Sequence, residues 1–258
     1  MPHVSRKPAS TRSRRSRRRP VTALMVVLPL LALVWAIVVG VPGVTPGETS
    51  VPFPVGSTAA APVTGDAADL LATLPVKGKA AKTGYDRTGE FGSAWRDVDD
   101  NGCDTRNDIL ARDLAAIVTD ASCRVLSGQL LAPYTGESVS FERGETTSML
   151  VQIDHLVALS NAWQTGAAQL TREERIALAN DPLNLLASDG VSNSQKGDGD
   201  AATWLPAEKS FRCEYVARQI SVKATYGLWV APAEHDAMVR VLATCPGQPA
   251  YSATPGLD

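Results

Sequence analysis

The pattern of apolar and polar positions resolves a series of short elements in the middle and C-terminal part of the chain. Residues 67–74 are amphipathic and are ended by Pro75, which predicts a first helix opening a folded domain. A glycine-punctuated polar stretch, YDRTGEFGSAWRDVDDNGCDTRNDILARD, predicts loop until a helix begins near Thr105. That helix is expected to reach about Thr119 and to bury Ile109, Leu110, Leu114, Ile117 and Val118. Short strands are predicted over 123–131 and 139–141, with Pro133, Tyr134, Thr135 and Gly136 as the turn between them. A further strand over 149–153 delivers Asp154 and His155 at its end. Two helices follow, one from Ser160 or Asn161 to about residue 167 and one over 171–179, the second opened by the capping-box pair Thr171 and Glu174. Asn180, Asp181 and Pro182 stop it. Residues 183–187 then read as a strand, Asp189-Gly190 as a turn, VSNSQKGDGDAATWLP as a polar connection and 207–226 as a long helix. The tail, 248–258, reads as disordered.

The N-terminal part has a different character. Residues 1–20 carry Arg6, Lys7, Arg12, Arg14, Arg15, Arg17, Arg18 and Arg19 and no acid, and residues 21–41 are uncharged and mostly apolar. This is an export signature. The apolar run is close to the ~20 residues that span a bilayer and exceeds the roughly 7–15 of a cleaved signal's apolar region. Its length favours a transmembrane anchor with the basic head in the cytoplasm. Pro29 and the small residues Ala59, Ala60 and Ala61 keep a cleaved signal segment open. A buried cytoplasmic helix would leave the arginine cluster without a purpose. Residues 42–66, rich in Pro, Ala, Gly and Thr, read as a flexible linker. The domain over 67–247 is therefore expected outside the cytoplasm, membrane-anchored or secreted.

Charge takes on a different meaning once this segment is set apart. Residues 1–42 hold 8 of the 25 basic side chains and none of the 27 acidic ones, so the remainder has 17 against 27, a net of −10. That balance argues against broad electrostatic affinity for nucleic acid. The four cysteines, Cys103, Cys123, Cys213 and Cys245, all lie in the exported part and suggest two disulfides. Three pairings are possible, and sequence order favours Cys103 with Cys123 and Cys213 with Cys245. Zinc is the competing reading, but no two cysteines have the close spacing of structural zinc sites.

The residues that carry chemistry are Asp154-His155, Asn184, Asn193 and Lys196. Hydrolysis of a phosphodiester needs a base for water, a cation to stabilise charge on the phosphate and leaving oxygen, and a scaffold for both. A neutral imidazole serves as the base at neutral pH, and a carboxylate with an amide oxygen makes a hard-oxygen site suited to Mg²⁺. The exported part holds only two histidines. His235, in Ala233-Glu234-His235-Asp236, reads as a solvated surface histidine, which leaves His155 as the base.

The segments IDHLVALSNAW and NDPLNLLASDGVSNSQKGDGDAATWLP resemble the HNH endonuclease family. More narrowly, they resemble its exported bacterial subgroup related to the GmrSD restriction endonuclease C-terminal domain. The resemblance extends upstream through GYDRTGEFGSAW and NGCDTRNDIL and covers roughly residues 74–245. It implies an α+β fold, with a ββα-metal core of hairpin and helix, added helices and disulfide staples. It further implies His155 as general base, Asp154 and Asn193 as ligands of one Mg²⁺ (or Mn²⁺), and Asn184 as a brace across the hairpin. Because the third signature position is Asn193 and not a histidine, zinc is disfavoured. Lys196 is expected to face a phosphate or to be solvated, Trp204 to shape the core, and Arg106 to meet a phosphate or lock an ion pair.

A second, weaker site is suggested by Asp97, Asp99 and Asn101, the first half of a calcium-loop pattern in which Asp108 stands at the usual glutamate position. Two functions remain in competition. One is an exported nuclease acting on nucleic acid, with DNA favoured, and the other a catalytically silent, disulfide-stapled envelope binding domain.

Overall fold

The computed structural model describes residues 62–252, so the basic head, the apolar segment 21–41 and the linker up to residue 61 lie outside the described residues. In chain order the elements are β1 (Pro62–Asp66), α1 (Ala67–Thr73), α2 (Arg87–Phe91), α3 (Thr105–Asp113), β2 (Ala115–Thr119), β3 (Val125–Leu131) and β4 (Ser138–Glu142). These are followed by β5 (Val151–His155), α4 (Leu159–Gln164), α5 (Arg172–Asn180), β6 (Leu185–Asp189), α6 (Gly190–Lys196), α7 (Arg212–Thr225), α8 (Pro232–Leu242) and β7 (Pro249–Tyr251). Helix starts follow local chemistry: Asp66, Asp86, Asp104, Thr171 and Asp189 each accept a hydrogen bond from an amide in the first turn. The Thr171–Glu174 capping box forms as its spacing predicts.

Three small antiparallel sheets result, β1-β7, β2-β3-β4 and β5-β6. The β5-β6 pair is in register from Val151↔Asp189 to His155↔Leu185, although α4 and α5 are inserted between the strands. Alternation along these strands divides two apolar cores. Val151, Ile153, Leu185 and Ala187 pack with Ile109, Leu110, Val125 and Phe141 of α3 and the three-stranded sheet. Leu186 faces the larger core built on α1, α4, α5, α7 and α8. Both expected disulfide pairings are present, Cys103–Cys123 and Cys213–Cys245. They fix the loop before α3 to the β2-β3 turn and the start of α7 to the segment after α8.

The structure departs from the sequence expectations in several places, among them α2, a helix inside the stretch expected to be loop, and β5, which begins at Val151 and leaves Met149 and Leu150 exposed. The helix predicted over 105–119 stops at Asp113, whose carboxylate accepts the Ala187 amide at 2.7 Å and the Arg112 Nε–H at 2.6 Å. The β-branched run that follows becomes edge strand β2, so Ile117 and Val118 are exposed instead of buried. The polar VSNSQK segment lies in a helix, α6, capped by Asp189, whose inward face carries Ser192, Asn193 and Lys196 in place of an apolar stripe. Finally, both domain boundaries move outward. Residues 62–66, expected in the linker, pair as β1 with β7, which lies in the segment expected to be a disordered tail. The Ala67 amide bonds the Gln248 carbonyl at 2.9 Å, and Ala250 and Tyr251 are buried.

Candidate active site

β5 ends with two adjacent residues whose side chains leave opposite faces of the strand. His155 is buried against the ring of Trp95, with centroids 6.1 Å apart and planes 15° from parallel. Its Nε2 lies 2.9 Å from the Ala179 carbonyl oxygen. A carbonyl only accepts, so Nε2 carries the proton and Nδ1 keeps the free lone pair. Burial, then the positive charges of Arg87 and Lys196, push the imidazole down to about 3, against a smaller upward pull from the Ala179 carbonyl. The ring is thus held neutral.

This has a consequence for stability. Between pH 6.5 and about 3 the unfolded chain binds a proton at His155 that the folded chain does not, so stability is present above that window and is lost as pH falls through it. The contribution reaches about 1.4 kcal/mol per pH unit at its steepest. Urea midpoints of wild type and His155→Gln, compared at pH 7 and 4.5, are expected to show a larger acid loss in wild type. Equal losses would mean that His155 is not buried in its neutral form.

Asp154 faces the other way and is also buried. One carboxylate oxygen accepts the Tyr134 hydroxyl, and both lie 3.0 Å from Lys196 Nζ, which also donates to the His155 carbonyl at 2.8 Å. Burial pushes the Asp154 carboxyl up, opposed by Lys196 and by the hydrogen bonds from Tyr134 and Lys196. Burial, and next the negative charge of Asp154, hold the Tyr134 phenol protonated and donating. The Lys196 side chain has no exposed surface. The structure therefore corrects the expectation that it faces a phosphate: its ammonium is committed to Asp154 and the strand end.

Asn193, one turn before Lys196 on α6, donates its amide Nδ2–H to Gln152 Oε1 at 2.8 Å, which leaves Oδ1 as the free end. Gln152 and Asp154 share a face of β5. Asp154, His155 and Asn193 all line a cavity of about 260 Å³, together with Tyr85, Arg87, Ser160 and Asp198. Asn184 sits behind it, fully buried. Its Oδ1 accepts the Val157 amide at 2.8 Å, its Nδ2–H groups donate to the Val157 and Leu178 carbonyls, and its own carbonyl accepts the Leu156 amide at 2.7 Å. Arg112 and Arg218 add hydrogen bonds to the Pro182 and Leu185 carbonyls, and Gln219 bonds the Leu156 carbonyl. The backbone that follows His155 is thus held by Asn184 and Gln219.

The remaining predicted residues lie elsewhere. Arg106 donates to the Val151 carbonyl at the start of β5 and does not line the cavity. Asp97, Asp99 and Asn101 fold their oxygens back onto the Asn101, Gly102 and Cys103 amides, with Asn101 Nδ2 between Asp99 and Asp108. Among the described residues no three His, Cys, Asp or Glu side chains converge as a metal-holding group, either in this loop or at the Asp154–Asn193 cavity. His235 is half-buried on α8 beside Asp236. Trp204 packs edge-on against Tyr134 and Tyr215, as core. The sequence reading missed Tyr134, Gln152, Arg87 and Trp95. Gln152 was accessible from strand alternation, two positions before Asp154. The other three are brought in from distant segments by the fold.

Residues 104–241 match the family described as GmrSD restriction endonucleases, C-terminal domain. The chain is also 36% identical over 196 residues to an "Uncharacterized secreted protein" of Arthroderma benhamiae, a match covering 75% of this chain and 92% of the relative. No solved structure matches. With the matched segment taking in β5, α4, α5, β6 and α6 and every residue of the cavity from Ile153 to Asp198, the chain belongs to the GmrSD restriction endonuclease C-terminal domain family.

Proposed function

We propose that the chain is an exported, metal-dependent HNH-type endonuclease that hydrolyses phosphodiester bonds, in DNA by preference, with His155 Nδ1 as general base. The observation that carries this reading is the fixed tautomer of His155 at a cavity it shares with Asp154 and Asn193. In it, β5, β6 and α6 are the ββα core, and Asn184 is the brace of the base loop.

Asp154 and Asn193 would hold the divalent cation. A carboxylate offers about four lone-pair positions; Tyr134 takes one and Lys196 touches both oxygens, which would leave one for a ligand bond. Gln152 turns the Asn193 oxygen to the free side. One carboxylate and one amide oxygen suit Mg²⁺ or Mn²⁺, the other positions being left to water and the substrate's own phosphate. The bound cation supplies positive charge to the phosphate and the departing oxygen. His155 Nδ1 takes a proton from a water whose oxygen bonds to phosphorus; the bond from phosphorus to the leaving sugar oxygen breaks, and that oxygen takes a proton from solvent. Lys196 positions Asp154. An extracytoplasmic location is supported by the two disulfides and by the relative's description as secreted. No helix among the described residues is long and apolar enough to cross a membrane, and the proposed anchor or signal at 21–41 lies outside them.

The test is cleavage of supercoiled plasmid by the full chain. Nicking and linearisation are expected with Mg²⁺ or Mn²⁺ and not with chelator. A chain that leaves plasmid and RNA intact with either cation is a silent binding domain, the reading its net −10 exported charge favours.

A further inference from the structure

The two cavities flanking His155 contain one unexpected cation. Among the described residues, Arg87 is the only lysine or arginine that lines either of them. It lies N-terminal to the segment matched by the family, as the first residue of α2. The three lysines of this connection between α1 and α3 are engaged elsewhere. Lys79 pairs with Asp200 at 2.7 Å, Lys82 with Asp198 at 3.3 Å, and Lys77 lies over the Trp229 ring. α2 itself is fastened to α5: Arg172 donates to the Gly89 carbonyl, and Arg175 pairs with Glu90 at 2.6 Å and donates to its carbonyl. Arg87 forms no ion pair with a carboxylate among the described residues, although Asp154 and Asp198 border the same cavity. An exposed, unpaired guanidinium is thus presented on an anchored helix at the mouth of a site whose other charged walls are acidic.

We infer that Arg87 is the phosphate-binding residue of this site, its guanidinium holding a non-bridging oxygen of the phosphodiester that lies against His155. The inference rests on the nuclease reading and supplies the substrate contact that Lys196 and Arg106 do not. A guanidinium suits this task because its fork of donors matches two phosphate oxygens at once and it stays charged at every relevant pH. It also gives an acidic exported domain a local means of drawing a polyanion to the base. Trp95 is stacked on His155 and lines one of the two cavities with Arg87.

The experiment measures binding of the full chain to a labelled DNA duplex in chelator, where no cleavage occurs, across a salt series, and then cleavage with Mg²⁺. Arg87→Ala is expected to weaken binding about tenfold and to flatten the slope of log affinity against log salt by about 1. Its kcat/KM is expected to fall by about 10²-fold. Arg87→Lys, which keeps charge and loses the fork, is expected to retain the salt slope and recover only part of kcat/KM. Unchanged affinity, slope and kcat/KM in Arg87→Ala, beside an active wild type, overturns this inference and leaves the nuclease reading intact. A wild type that binds duplex through Arg87 and cuts nothing supports the contact and overturns the nuclease reading. A wild type that neither binds duplex nor cuts it overturns both.

Discussion

His155→Ala is expected to lower the rate of plasmid cleavage by about 10²- to 10⁴-fold, the usual contribution of a positioned general base. Three features place the effect in this residue. Its Nε2 is occupied by the Ala179 carbonyl, so only Nδ1 is free to take a proton. Its pKa is pushed down to about 3, so the acceptor form is fully populated at neutral pH. Only one other histidine lies in the exported chain, His235 on α8, and it does not line the cavity. The substitution removes a buried ring and leaves the Ala179 carbonyl without its donor, at a cost of about 1–3 kcal/mol. The urea midpoint must therefore be measured beside the rate. A rate loss that follows the midpoint, and disappears under conditions where the variant is fully folded, would sink the assignment. Partial recovery by added imidazole, which fits the space vacated, is the outcome that distinguishes a missing base from a damaged fold.

The sequence made the centre of this site legible because its residues lie within one short segment with strong local signals. β5 announces itself by an apolar run, Asp154 and His155 stand at its end, and Asn184 and Asn193 follow at the spacing of a known family. Disulfide pairing followed from order along the chain. What stayed hidden depends on long-range contact. Lys196 looks like any loop lysine until α6 folds and carries it into the Asp154 pocket. α6 itself was concealed because amphipathic periodicity presumes an apolar inner face, and this helix turns Ser192, Asn193 and Lys196 inward. Tyr134 was read as part of a turn between two strands, and it is; the same turn places its hydroxyl on Asp154. β1 and β7 are each too short and plain to be recognised singly, and they exist because the two ends of the domain meet.

The second large effect is on stability and concerns the Lys196–Asp154 pair. Lys196→Met is expected to destabilise the fold by about 3–5 kcal/mol, because it leaves the Asp154 carboxylate buried beside the Tyr134 phenol with no countercharge. A lysine whose role was a solvated phosphate contact would change nucleic-acid binding and leave the urea midpoint where it was, so an unchanged midpoint overturns the placement described here. The double variant Lys196→Met, Asp154→Asn isolates the charge. An asparagine in place of Asp154 still accepts the Tyr134 hydroxyl but has no charge to compensate, so most of the lost stability is expected to return. The pH dependence supplies an independent sign. In Lys196→Met the folded carboxyl loses one of the groups that lower its pKa, so it moves further above the unfolded value. A raised carboxyl destabilises the fold increasingly as pH rises through the gap between the two values. The deficit relative to wild type must therefore be greatest at neutral pH and shrink as pH falls towards the ordinary carboxylate range. A deficit of constant size across that range would point to lost packing by the lysine stem, and not to the unpaired charge.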